Sequence, residues 1–161
     1  MPASTPSQTV GPFFSLGLGD SSQGNVVDPA RPGAIRIDGT VRDGAGEPVP
    51  DALVEIWQEE GCARAATSPE GRFSFFTVKP GELPGLDGVA QAPHIAVSVF
   101  SPGLLTRLVT RIYFPDEAEA NARDPLLRGL EEAALLARPE DDGLRFDITL
   151  QGEDETVFLD V

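Results

Sequence analysis

Residues Ala92–Phe100 read APHIAVSVF, and the stretch alternates as a β-strand does. His94, Ala96, Ser98 and Phe100 fall on one face, and Ile95, Val97 and Val99 on the other. His94 is the single histidine of the chain. A strand that holds a metal often repeats histidine two residues on, because positions i and i+2 can close on one ion. Here that second place is Ala96. The strand is therefore a metal site completed elsewhere, the remnant of one, or an ordinary strand whose histidine is satisfied in a core or interface.

The same period-2 pattern runs outward in both directions. Ala34–Val41 (AIRIDGTV) puts Ile35, Ile37 and Val41 on one face, and 42–51 (RDGAGEPVPD) is dense in turn formers. Ala52–Gln58 (ALVEIWQ) alternates Ala52, Val54 and Ile56 against Leu53, Glu55 and Trp57. Arg72–Val78 (RFSFFTV), Leu104–Phe114 (LLTRLVTRIYF), Leu144–Leu150 (LRFDITL) and Thr156–Val161 (TVFLDV) read as further strands. Residues 59–71 and 82–93 read as loops. Pro115–Leu130 (PDEAEANARDPLLRGL) is the best helical candidate, with a second start at Asp124-Pro125, and 131–138 suits helix or strand. Residues 1–33 are rich in Pro, Gly, Ser and Thr and read as an extended arm and loop, with Phe13 and Phe14 as apolar anchors. Roughly eight short strands joined by turns predict an all-β protein, a single-domain β-sandwich over 34–161 with one or two short helices.

The 161 residues carry 26 Asp and Glu against 12 Lys and Arg, a net charge of −14, which opposes binding to nucleic acid or an anionic membrane surface. A lone cysteine, Cys62, forms no internal disulfide and points to a reducing compartment. The N-terminus has neither a basic segment nor an apolar one, so a cytoplasmic protein is expected. One His, one Cys and one Tyr do not furnish a structural zinc site or a 2-His-1-carboxylate iron site within this chain. Cys62 with His94 lacks a recognisable orienting group for nucleophilic catalysis. The acidic runs EDDG and GEDE lack the calcium-loop spacing, and no phosphate-cradling glycine loop is present.

Several motifs in order resemble one family. TPSQTVGPFF (5–14), VEIWQ (54–58), TVKPG (77–81), APHIAVSVF (92–100), RIYFPDEAEANA (111–122) and LRFDITLQGEDETVFLDV (144–161) are together similar to the alpha-type subunits of the intradiol ring-cleaving dioxygenases. The resemblance spans almost the whole chain and implies the transthyretin-like sandwich of that family. It implies a beta subunit of the same fold as partner, which carries Fe(III) on two tyrosines and two histidines, within a higher-order hetero-oligomer. The substrates it implies are protocatechuate and O2, with ring cleavage to 3-carboxy-cis,cis-muconate in aromatic catabolism. No catalytic residue is then expected in this chain. Against the beta-type pattern, His94 and Ala96 form a vestigial metal strand, Gln91 replaces an arginine, and the loops at 59–66 and 82–88 hold no tyrosine.

Carried over by position, Thr9, Gly11, Pro12 and Phe13 would wall the partner's substrate pocket. Two places depart from the pattern: Phe13 stands where a tyrosine is usual, and Pro102, in Phe100-Ser101-Pro102-Gly103, where an arginine is usual. Both bear on which catechol is preferred. The other reading is a free-standing transthyretin-like binding module, which GTVRDGAGEPVPDALVEI (39–56) alone would also fit.

Overall fold

The computed structural model describes residues 5–18, 24–85, 88–130 and 134–160, with the side chains of Pro12 and Ser15 also outside the description. Among these residues nine strands form two facing sheets. One has the order β4 (Arg72–Thr77), β1 (Ile35–Arg42), β8 (Gly143–Arg145), β7 (Arg138–Glu140), with β9 (Ile148–Thr149) also paired to β1. The other runs β3 (Gly61–Ala66), β2 (Leu53–Gln58), β5 (His94–Phe100), β6 (Leu108–Tyr113), all antiparallel. The alternation fixes which faces meet. Ile37, Val41, Val54, Ile56, Phe73, Phe75, Ile95, Val97, Val99 and Ile112 fill the space between the sheets. A one-residue slip in any of these strands would turn its apolar set outward.

Gly39 and Asp147 explain why LRFDITL is two strands rather than the single one expected. A side chain on Gly39 would lie 2.1 Å from the Phe146 carbonyl and 2.3 Å from the Phe73 ring, so glycine alone lets both approach β1. The Phe146 amide donates to the Asp38 carbonyl (2.8 Å), and the Asp147 carboxylate accepts the Thr40 amide (3.0 Å). The chain thereby kinks between β8 and β9 while both stay parallel to β1.

Other expectations are corrected. Gly61–Ala66, read as loop, is β3: Glu59 and Glu60 close a two-residue hairpin, Gly61 takes φ +145°, and the register Gln58↔Gly61 to Leu53↔Ala66 follows. The alanines of this segment hid a strand that pairing with β2 imposes. Thr156–Asp160 is no ladder strand; it is a tail tied by Thr156 N–H to the Thr149 carbonyl (3.0 Å) and Leu159 N–H to the Val109 carbonyl (2.7 Å). The arm is not extended throughout, since Pro12–Leu18 is a helix, α1. The helical candidate resolves into α2 (Ala118–Asn121) and a short 3₁₀ turn (Leu127–Gly129). Asp124, fully buried, caps that turn through Leu126 N–H (2.8 Å) and Leu127 N–H (3.3 Å). Of 131–138, the first three lie outside the described residues; Leu136 bridges Tyr113, and strand β7 begins at Arg138.

Candidate functional site

The outer face of the β3–β2–β5–β6 sheet carries the residues of interest in successive rows. The β-ladder register aligns Ala66, Leu53 and Phe100, then Arg64, Glu55, Ser98 and Val109, then Cys62, Trp57, Ala96 and Arg111, and last His94 beside Tyr113. His94 and Phe100 are six residues apart, about 20 Å along the strand. The face thus has two ends with different chemistry.

At one end His94 is buried, its Nδ1 donating to the Ala92 carbonyl (2.8 Å), its ring 5.4 Å from that of Tyr113. The Asp124 carboxylate accepts the Ala92 amide (2.8 Å), which holds the strand's entry. The Arg111 guanidinium reaches Gln91 Oε1 (2.8 Å) and the Tyr113 hydroxyl (3.1 Å). Burial pushes the His94 pKa down, and the nearby Arg111 charge adds to that against the Ala92 hydrogen bond. Burial likewise pushes the Tyr113 hydroxyl up, against the opposing pull of Arg111. At neutral pH this end therefore holds a neutral imidazole, a protonated phenol and a cation.

That donor set does not fit iron. The His94 Nδ1–H bond to a backbone carbonyl leaves Nε2 as a single possible ligand, but Ala96 offers a methyl group, and Arg111 lies directly across the ladder from Ala96. Among the described residues, no group of three or more His, Cys, Asp or Glu gathers for a metal ion. The middle row is open instead: Trp57 is 51% exposed, facing the exposed Cys62 on one side and Ala96 on the other.

At the far end sits the arm. The Thr9 hydroxyl accepts the Gly103 amide (2.7 Å) and lies 3.5 Å from the Ser101 carbonyl as donor. The Phe14 ring packs 5.6 Å from that of Phe100. Gly11 precedes α1, Pro12 opens it, and the helix turns Phe13 (81% exposed) and Leu16 (79%) outward. Thr9 and the turn holding Pro102 are brought together; the arm and His94 are not. Arg111, Asp124 and Trp57 escaped the sequence reading as site residues. Trp57 had a usable signal, an aromatic alternating with Glu55 on a face that Val54 and Ile56 do not share.

No family model matches the chain. It is 38% identical to the protocatechuate 3,4-dioxygenase alpha chain of Pseudomonas putida over 97% of this chain and 96% of that one. The chain belongs to the protocatechuate 3,4-dioxygenase alpha-chain family. The alpha chain of Burkholderia cepacia is similar at 36% identity over 98% of this chain and 97% of its own length. The beta chain from the same organism is 36% identical over 76% of this chain and 66% of that one, so this family shares ancestry with the beta chains. Among solved structures, the dioxygenase domain of a dioxygenase carbohydrate-binding fusion from Streptomyces sp. SirexAA-E superposes with TM-score 0.67 at 28% identity, covering 92% of this chain and 98% of that one. Hydroxyquinol 1,2-dioxygenase of Pseudomonas putida DLL-E4 shares the fold at TM-score 0.65 and 19% identity, covering 92% of this chain and 67% of that one. Alpha-chain family membership makes this an intradiol dioxygenase component, and intradiol dioxygenases are iron enzymes.

Proposed function

We propose that this chain is the non-iron-binding alpha subunit of a cytoplasmic intradiol dioxygenase that acts on protocatechuate. A beta subunit of the same fold holds Fe(III) on two tyrosines and two histidines, and alpha and beta chains repeat in a larger hetero-oligomer. The overall reaction adds both atoms of O2 across the bond between the two hydroxyl-bearing carbons, giving 3-carboxy-cis,cis-muconate, and the iron chemistry belongs to the partner. The observation that carries this reading is the near-full-length alpha-chain similarity in a chain whose His94 face offers iron a guanidinium and a methyl group. Residues 34–161 act as the sandwich scaffold, and 1–33 as the arm.

The arm is this chain's contribution to the pocket. Thr9, Gly11, Pro12 and Phe13 wall the partner's site, with Phe13 as an apolar surface against a flat aromatic ring. Lacking the usual hydroxyl, Phe13 removes one hydrogen bond from that wall. Pro102 stands where a cation near the substrate site is usual. Both changes alter which catechol is preferred.

Co-expression of the tagged chain with a beta subunit, followed by iron analysis of the purified species, tests the assignment. The expected result is one iron per alpha–beta pair, protocatechuate-dependent O2 uptake, and no iron or activity in this chain alone. Stoichiometric iron with a tyrosinate colour in the isolated chain would overturn it. A stable monomer that leaves the beta subunit unbound would favour the binding-module reading.

A further inference from the structure

The arm meets its own sheet through two anchors of different chemistry. Thr9 is polar and sits on the turn after β5; Phe14 is apolar and sits on the last residue of β5. Gly11, Pro12 and Phe13 lie between them, and the Phe14 amide closes back onto the Gly11 carbonyl (3.0 Å). The turn that receives Thr9 is itself fixed. Leu104 N–H donates to the Ser101 carbonyl (3.1 Å), and Gly103, at φ +93°, presents its N–H to the hydroxyl. Pro102 stands between the two residues that Thr9 touches.

We infer that Thr9 is a positioning residue: by accepting the Gly103 amide, its hydroxyl fixes where Gly11 and Phe13 stand and so sets affinity for the catechol acid. This rests on the pocket-wall reading above. It refines the share of Thr9 in that wall, because the hydroxyl's lone pair and proton are directed at the Ser101–Gly103 turn. The turn and the arm then act as one unit, so the two positions that depart from the family pattern, Phe13 and Pro102, are mechanically joined. An arm that is pinned before its partner arrives also loses less conformational freedom on assembly.

Thr9→Val keeps the shape and removes the acceptor, and Thr9→Ser keeps the hydroxyl. Amide exchange of the full-length chain, followed by NMR, reads the latch directly. A net hydrogen bond of this kind is worth about 1 kcal/mol, so Gly103 exchange should rise about fivefold in Thr9→Val and return in Thr9→Ser. In the co-expressed alpha–beta complex, KM for protocatechuate should rise about fivefold with kcat within twofold, again restored by Thr9→Ser.

Unchanged Gly103 exchange in Thr9→Val would overturn the latch, whatever the kinetics. Faster exchange with unchanged KM would overturn the positioning role. In that case Phe13→Ala separates the causes, since a KM also unmoved by it means the pocket-wall reading has failed. A fall in kcat at constant KM would make Thr9 a group in contact with the reacting atoms and would equally overturn the inference.

Discussion

Trp57 offers the sharpest test of how the outer face of the β3–β2–β5–β6 sheet is used. Its side chain is 51% exposed in the chain alone, between Ala96 and Cys62. An indole of the largest aromatic class presents about 250 Å², so about 125 Å² remains to be covered on docking. At roughly 25 cal/mol per Å², covering it contributes about 3 kcal/mol, or about a hundredfold in Kd. Trp57→Ala in the full-length chain should therefore weaken association with the beta subunit about a hundredfold, measured by titration calorimetry. Urea denaturation of the free chain accounts separately for the half of the ring already packed. Trp57 is also the only tryptophan, so 5-fluorotryptophan in this chain alone gives a single ¹⁹F line that should shift on assembly. A Kd within threefold of wild type together with an unmoved ¹⁹F line would place Trp57 outside the contact with the beta subunit and refute the expectation drawn from its exposure.

Three further outcomes follow from the fold. Gly39→Ala forces a methyl to within 2.1 Å of the Phe146 carbonyl and should cost about 3 kcal/mol in urea denaturation; a loss below about 0.5 kcal/mol would mean the β1–β8–β9 crossing relaxes freely. Burial alone would raise the Asp147 pKa, but hydrogen bonds from Arg145 (2.7 Å and 3.0 Å), with Arg138 and the Thr40 amide, hold it below the usual carboxylate range. Asp147→Asn should thus lose about 2 kcal/mol at pH 7, a gap that narrows as acid protonates the wild-type carboxylate, and a constant gap between pH 7 and pH 3 would refute the charge-based account. His94 protonates less readily folded than unfolded, so its contribution to stability is complete above its ordinary pKa of 6.5 and is lost as pH falls from there toward the lowered folded value. His94→Gln should remove that slope from paired denaturation curves at pH 7.5, 6.5 and 5.5, and an undiminished slope would place the titration on another group.

Much of the fold was legible because burial obeys a simple period. Val54, Ile56, Ile95, Val97 and Val99 are apolar at every second place, and each faces the core. What escaped was structure set by pairing rather than pattern. Nothing in GCARAA favours a strand, and only the two-residue turn at Glu59–Glu60, which lays it against β2, makes it one. LRFDITL hid its break for the opposite reason: the alternation is unbroken, but Gly39 and Asp147, one of them 108 positions before the other, kink the chain.

The candidate site divides in the same way. That His94 has no second histidine beside it can be read from one strand, since i and i+2 share a face whatever the tertiary structure. What stands near it in place of a metal cannot be so read, because Arg111 reaches Ala96 only through the β5–β6 register, and Gln91 and Tyr113 only through the path of its side chain. The pairing adds to the effect of the missing ligands. Restoring histidine at position 96 would still leave a fixed guanidinium opposite it, and two like charges at that spacing oppose metal binding. A single substitution would therefore fail to rebuild an iron site: Ala96→His should stay iron-free on metal analysis even with Arg111 replaced by an uncharged residue, because the loops at 59–66 and 82–88 still supply no tyrosine.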